Sequence, residues 1–410
     1  MTTDTTAAFI PRTFWRPVGV VYGAALLQGL AMVSFPASST VLTGSLGLSS
    51  AQYGAIFLPQ VALAIVGSVG GGTLARRFGL KALLLVALAA NAASQGLLAA
   101  AVWVDPAWAF PSVMIGTASM GLAFGVGGAP LNSYPPTFFP DASDTAVVTL
   151  HSLLGAGLAL GPVVVAPFIA RDAWIGFPFL LLALCCLVLV VGALTDFPET
   201  DGEKETTGTP RPVRQRLFWA FVVAAVLYAF AEGTFSNWAV IYLHEAKGVS
   251  QATAGLALSV FWAALVAGRL LTSALVLRLS SQTVWLVLPL LMIAAFLLLP
   301  LADGAAAGIG LFALAGLGCS AFFPLTITLI SRAYPDHVAW ASSMMIAALM
   351  LGVGAGSFFF GPLREAFSFA MIYRASALYP LAALIAAIVI VRSEPCRQTI
   401  RELWTGSRCQ

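Results

Sequence analysis

Long apolar segments alternate with short polar segments along the whole chain. Twelve apolar segments are long enough to cross a bilayer, which takes about 20 helical residues. They lie near 17–38, 51–72, 82–104, 110–132, 145–170, 174–195, 217–243, 252–273, 283–301, 306–330, 339–361 and 375–391. The chain is 60% hydrophobic and only 9% charged, which excludes a soluble globular protein. The pattern predicts an all-α membrane protein with twelve transmembrane helices.

The chain also contains an internal repeat. The segment GLSSAQYG at 47–54 returns 201 positions later as GVSQATAG at 248–255. A second repeated set is an aspartate followed 16 and 20 residues later by glycine: Asp141, Gly157 and Gly161, then Asp336, Gly352 and Gly356. Two related halves predict two pseudo-symmetric six-helix bundles with the working site between them. We assign residues 1–195 and 217–391 to the bundles, 196–216 to a cytoplasmic linker and 392–410 to a cytoplasmic tail.

The positive charges lie mainly on one side of the predicted membrane. Of the 20 Lys and Arg residues, 16 fall on the side that holds both termini, and Arg269 is counted among them. The other side holds only Arg171, Lys247, Arg364 and Arg374. Positive residues concentrate on the cytoplasmic side of membrane proteins, so both termini are predicted to be cytoplasmic, in a bacterial inner membrane.

The segment between the second and third predicted spans carries a recognisable loop, GTLARRFGLK at 72–81. It resembles the loop motif of the major facilitator superfamily of secondary transporters, which it matches at Gly72, Arg77, Gly79 and Lys81. Arg76 replaces the usual acid, and the related copy after span 8 keeps only Arg278. The resemblance implies a cytoplasmic gating loop formed by these five matching residues, without the family's acidic latch.

Two further segments, 121–134 and 227–238, resemble the fucose/glucose/galactose proton-symporter group within that superfamily. The first contains Asn132 at a position where this group often has asparagine. The resemblance implies sugar uptake with a proton by alternating access. The acid that the group often carries in span 4 falls at Gly128, and span 1 has no acid. A coupling scheme that uses those two positions cannot operate here.

Glu232 is the candidate for proton coupling. It is the one acid well inside a predicted span, near the middle of 217–243. Burying a carboxylate there costs several kcal/mol unless it is paired, solvated by a cavity or protonated. No Lys or Arg is expected at the same depth, which favours a proton carrier. The structural alternative is a permanently protonated acid that joins two helices.

The candidate substrate-binding residues are polar or aromatic side chains within spans. The amides and the histidine could bind hydroxyl groups, and the aromatic rings could stack on an apolar face of the solute. Each could instead be a packing residue, because amides also join helices in lipid. The candidates are Gln28, Asn132, Tyr134, His151, Asn237, Trp238, Trp262 and Phe322.

Motifs of catalysis, of metal binding and of ATP hydrolysis are missing from the sequence, so we expect no enzyme, no metal and no cofactor. The leading interpretation is a monomer that imports a small neutral polar solute, with a sugar as the expected substrate, together with a proton; sodium is left open. The expected absence of a mid-span arginine argues against carboxylate or phosphate substrates. The alternatives are a proton-coupled exporter of cationic or amphipathic compounds and a non-transporting anchor or receptor. The expected partners are the solute, the proton and the lipid bilayer, with no nucleic acid.

Overall fold

The computed structural model describes residues 15–198 and 212–393, and every regular element within these ranges is helical. Twelve spans are long and apolar enough to cross a membrane, which confirms the predicted number. In chain order, spans 1 to 12 are Trp15–Ala37, Ser50–Phe78, Leu80–Ala100, Pro106–Phe138, Thr145–Ile169, Gly176–Ala193, Arg216–Ala246, Gln251–Leu275, Ser281–Leu301, Ala305–Ala333, Trp340–Ala366 and Phe369–Arg392.

Several spans are interrupted or change their helix type. Span 2 consists of Ser50–Ala55 and Phe57–Phe78, span 10 of Ala305–Cys319 and Phe322–Ala333, and span 12 of Phe369–Ser376 and Leu378–Arg392. Span 7 is an α-helix over Arg216–Ile241 that ends in a π-helical turn, Tyr242–Ala246. A short helix, Ser39–Gly44, follows span 1, and 3-10 turns occur at Pro140–Ala142, Leu299–Leu301 and Pro335–His337.

The repeat seen in the sequence is also present in the backbone. Gly47 and Gly248 both adopt the left-handed conformation, with φ of 68° and 64°. The next residue in each half donates its backbone N–H to a carbonyl six residues earlier, at 3.0 Å in both cases. The serine that follows caps the next span by accepting a backbone N–H. The two halves therefore share local geometry as well as sequence.

The repeated glycines allow close helix packing in both halves, as their spacing predicts. A side chain at Gly157 or Gly161 of span 5 would collide with span 1. In the second half, one at Gly352 or Gly356 of span 11 would collide with span 7. The two halves therefore use the same close packing of two spans to build their six-helix bundles.

The predicted span limits are close to the observed ones, with span 4 as the largest difference. Hydropathy places this span at 110–132, but the helix runs from Pro106 to Phe138. It begins early because the Asp105 side chain accepts the Ala107 N–H at 2.9 Å. Most of the predicted linker and tail, residues 199–211 and 394–410, lies outside the described residues. The domain limits stay a prediction.

The bundle has two ends, each defined by its connecting segments. The linker face is the end formed by residues 76–81, 139–142 and 334–338, together with the segment that leads into the linker. The distal face is the opposite end, formed by residues 45–49, 247–250 and 367–368. The halves touch near the distal face, where spans 2 and 11 meet at Gly54 and Gly361. At the linker face, residues of both halves line the space between them.

Candidate functional site

A cavity of about 2650 Å³ lies between the two halves. Its walls come from spans 1, 2, 4 and 5 of the first half and from spans 7, 8, 10 and 11 of the second. It reaches residues of the linker face, including Lys81 and Asp336, but none of the residues that define the distal face. The cavity is therefore open at the linker face and closed at the distal face.

The distal closure is a layer of aromatic and polar contacts, which we call the distal seal. The Tyr53 hydroxyl of span 2 donates to the Asn237 carbonyl oxygen of span 7 at 2.7 Å. The Tyr53 ring meets Trp238 edge-on, with ring centroids 5.0 Å apart, and Trp238 stacks on Phe360 of span 11 at 4.5 Å. Gly54 allows spans 2 and 11 to touch, because a Cβ there would lie 2.8 Å from the Phe358 carbonyl oxygen. The seal thus joins the two halves.

Glu232 lines the cavity from span 7, partly exposed to it. The titratable neighbours of its carboxyl group come from three elements. The Tyr228 hydroxyl, one turn earlier on the same span, lies near this carboxyl group. The Arg269 guanidinium of span 8 interacts with it electrostatically, and the Cys319 thiol of span 10 lies nearby. Glu232 therefore lies within a span, as the sequence predicts, and its role in proton coupling stays a prediction.

Arg269 corrects one expectation from the sequence. It was grouped with the cytoplasmic charges, and no arginine was expected near Glu232. The residue instead lies within span 8 and lines the cavity. Its charge is close enough to interact with both Glu232 and His151. The absence of a mid-span arginine therefore no longer argues against carboxylate or phosphate substrates. The sequence could have predicted this position, because Arg269 falls four residues inside the predicted end of span 8, at 252–273.

The break in span 10 explains how Arg269 is held. Pro324 has no backbone N–H, so the Ser320 carbonyl lacks the donor that a continuous helix would supply. The Arg269 Nε–H donates to that oxygen at 3.1 Å. The neighbouring Cys319 carbonyl accepts the Tyr228 hydroxyl at 2.7 Å. Two consecutive carbonyl groups at the break therefore hold Tyr228 and Arg269, whose side chains lie near Glu232.

The first half contributes a second polar wall. On span 4, Asn132 Oδ1 accepts the His151 Nε2–H of span 5 at 3.1 Å, and both side chains are exposed to the cavity. On span 1, Gln28 lines the cavity and accepts an Asn91 N–H at 2.9 Å. Its own amide nitrogen is buried without a hydrogen-bond partner. The structure thus brings three predicted binding residues to the same side of the cavity.

Two further polar atoms on the cavity walls lack partners. The Trp262 indole nitrogen of span 8 is buried and forms no hydrogen bond in the described structure. The same is true of the Gln60 Oε1 atom of span 2. Unsatisfied buried polar groups cost free energy and are rare, so each is a candidate contact for a bound solute.

Other predicted binding residues lie away from this centre. Phe322 is fully buried, stacked between Tyr228 and Trp285, and it does not line the cavity. Trp238 is buried in the distal seal and also does not line it. Asn237 lines the cavity, but its amide donates to Ser357 Oγ at 2.6 Å. In this conformation these side chains stabilise the bundle.

Tyr134 lies toward the linker face, where it reaches the cavity wall but is almost fully buried. Its ring stacks on Phe138 at 5.5 Å and contacts Phe197 at 5.0 Å. It is therefore separated from the polar centre around Glu232, and its predicted role in binding stays a prediction.

The predicted gating loop adopts a defined structure at the linker face. Gly79 has φ of 81°, a conformation that favours glycine, and it separates spans 2 and 3. The Lys81 ammonium donates to the Ala193 carbonyl at the end of span 6, at 3.0 Å. Arg77 lies over the Phe78 ring, and Gly72 lines the cavity. Arg278 lies in the turn after span 8. Gating by these residues stays a prediction.

Comparisons with known proteins agree with this architecture. The family model described as Major Facilitator Superfamily matches residues 20–309. An uncharacterized transporter from Sinorhizobium fredii, y4wD, is 24% identical over 400 residues, which cover 92% of this chain and 98% of that protein.

Solved transporter structures share the fold at low sequence identity. The nucleoside transporter NupG matches with a TM-score of 0.75 at 14% identity, over 91% of this chain and 99% of that chain. A bacterial homologue of the human lysosomal transporter Spinster, in an inward-facing and occupied conformation, matches with a TM-score of 0.71 at 14% identity. The match covers 98% of this chain and 100% of that chain. The xylose transporter XylE from E. coli, in an inward-open conformation, matches with a TM-score of 0.71 at 17% identity. The match covers 92% of this chain and 96% of that chain.

Proposed function

The chain belongs to the major facilitator superfamily, and from this premise we propose that it carries a small polar solute across the membrane together with a proton. It is an integral membrane transporter and not an enzyme. The observation that carries the proposal is the cavity between the halves, sealed at one face, with a single carboxylate in its polar centre.

Glu232 is the proposed proton carrier. Its surroundings suit a group that changes charge, because the Arg269 guanidinium interacts with the ionised form while the buried site also tolerates the neutral form. Protonation would release Arg269 from its interaction with the carboxylate and change what the cavity can bind. Solute binding would then depend on the proton, which is the requirement for coupling.

The linker face is the proposed cytoplasmic side, as the distribution of positive residues predicts. The conformation described here is then open to the cytoplasm and sealed toward the periplasm. Transport would require the distal seal to open while the linker face closes, with the two halves rocking about the bound solute. The proposed location is a bacterial inner membrane, and the proposed active form is a monomer.

The alternative export function is less favoured by the cavity. A lipophilic cation would have Glu232 as its counter-charge, but Arg269 lies beside that acid and would repel it. The buried amides and His151 favour a hydrophilic solute that forms several hydrogen bonds. Sugar uptake, as in the proton-symporter group that the sequence resembles, remains a candidate within this proposal.

The test uses the purified protein in liposomes that contain a pH-sensitive dye. A panel of sugars and hydroxy acids is added outside, and proton movement into the lumen is recorded. We expect at least one solute to move protons through the wild type but not through Glu232→Gln. The matched control is Glu245→Gln, an exposed acid at the distal end of the same span that does not line the cavity. Equal proton movement in wild type and Glu232→Gln would contradict the proposal.

A further inference from the structure

Arg269 presents its positive charge and its two amino groups to the cavity. Its Nε–H is used by the Ser320 carbonyl. Within residues 15–198 and 212–393, neither of its two amino groups forms a hydrogen bond, and no carboxylate oxygen lies within 4.0 Å of the guanidinium. An arginine stays charged in proteins, and a charge at membrane depth without a partner is costly. The planar fork of the two amino groups fits a carboxylate in a bidentate manner.

A second donor lies on the same helical face. Trp262 precedes Arg269 by seven residues, or about two turns, so both side chains project to the same side of span 8. Both line the cavity, and the Trp262 indole N–H is buried without a partner. Indole and guanidinium groups can only donate hydrogen bonds. This wall therefore offers donors to a ligand that is rich in acceptors.

With His151 neutral, the charges of Glu232 and Arg269 balance in two states of the site. With Glu232 ionised and no ligand, it offsets Arg269. With Glu232 protonated, the site carries one positive charge, which a monovalent anion would neutralise. A proton alone or an anion alone leaves a net charge in the middle of the membrane. Since uncompensated charge there is costly, the neutral states are the ones expected to interconvert between open faces.

We propose that the solute is a small hydroxylated monocarboxylate, carried with one proton in electroneutral symport; this rests on the proton-coupled transport proposed above. Its carboxylate binds the amino groups of Arg269. Its hydroxyl groups bind Asn132 and His151 on the opposite wall, where both donors and acceptors are available. A neutral sugar would leave the guanidinium charge uncompensated whenever Glu232 is protonated.

The experiment compares acids with sugars of the same carbon skeleton. Proteoliposomes receive D-gluconate, D-galactonate, D-glucuronate or L-lactate, and D-glucose or D-galactose as the neutral counterparts. Solute uptake and proton uptake are measured with and without an inside-negative potential set by potassium and valinomycin. The variants are Arg269→Gln, Arg269→Lys and Glu232→Gln. The matched control is Arg332→Gln, an exposed arginine of span 10 that does not line the cavity.

We expect at least one of the acids to be taken up with a proton at a rate that the potential does not change. Arg269→Gln should slow this uptake by about tenfold or more, because a charge-assisted contact to the carboxylate is lost. Arg269→Lys should restore part of the rate, and Arg332→Gln should match the wild type.

Three results would separate the possible failures. Proton-coupled uptake of glucose or galactose that the potential accelerates and that survives Arg269→Gln would overturn the anion proposal and leave proton coupling intact. Failure of all four acids would also overturn it. Uptake of an acid that needs Arg269 but moves protons equally in Glu232→Gln would leave the anion site standing and refute Glu232 as the proton carrier.

Discussion

Replacing Tyr53 with phenylalanine is expected to weaken the distal seal without removing its aromatic packing. The hydroxyl donates to the Asn237 carbonyl at 2.7 Å in a fully buried position. The ring contacts with Phe57 and Trp238, at centroid distances of 5.5 and 5.0 Å, need no hydroxyl and should remain. The substitution therefore removes one hydrogen bond between the two halves.

The size of the effect follows from that single bond. A buried hydrogen bond contributes about 1 kcal/mol net, and bonds between helices in membranes fall in a similar range. Because this bond exists only while the seal is closed, its loss should raise the population of the distally open state about fivefold. Access to the cavity from the distal face should rise by the same factor.

The assay measures labelling of a cysteine placed beneath the seal. Ser236 is buried, lines the cavity and directly precedes Asn237, so Ser236→Cys reports access at that depth. A membrane-impermeant maleimide is applied from the distal face, with the protein lacking the introduced cysteine as background. The rate should be about fivefold higher with Tyr53→Phe.

The matched control is Tyr373→Phe. Tyr373 is also fully buried, but its hydroxyl has no hydrogen-bond partner in the described structure. This change should leave the labelling rate unaltered. The reasoning would be refuted if Tyr53→Phe left the rate unchanged, or if both substitutions raised it equally.

Two further substitutions test the packing and the broken helix. Gly352→Ala should lower the thermal unfolding temperature, since overpacking of a helix contact costs about 1–3 kcal/mol. Gly310→Ala is the control and should leave the unfolding temperature unchanged, because no atom lies within 4 Å of the added carbon. Pro324→Ala should supply an N–H to the Ser320 carbonyl and displace Arg269 from it, which should raise the KM of the transported acid with little loss of folded protein. An unchanged KM would contradict the positioning role of the break.

The sequence predicted the fold well because membrane insertion imposes a simple rule. Each span needs about 20 apolar residues, so twelve apolar segments gave twelve spans. The repeated Gly-x-Ser segments at 47–49 and 248–250 predicted that the two halves of the chain are related, and both segments adopt the same turn. The helix extensions beyond the membrane, as in span 4, depend on caps such as Asp105 and were missed by hydropathy.

The functional site was predicted only in part, because its chemistry depends on contacts between distant spans. Glu232 was singled out because an acid within a span is rare, and it does line the cavity, but its role as proton carrier stays a prediction. Arg269 was assigned to the wrong environment, because its distance from the span end suggested a surface position while the cavity reaches deep along span 8. The stacking of Phe322 between Tyr228 and Trp285 is equally a property of the folded bundle.

The most direct test of proton coupling separates exchange from net transport in Glu232→Gln. The variant resembles the protonated form, so the loaded protein should still reorient, whereas the empty protein cannot return with Arg269 uncompensated. We predict that exchange of labelled for unlabelled solute at equal concentrations is retained. Uptake driven by a proton gradient should be lost, and Glu245→Gln should keep both. Retention of gradient-driven uptake in Glu232→Gln, or equal loss of both activities, would contradict the account.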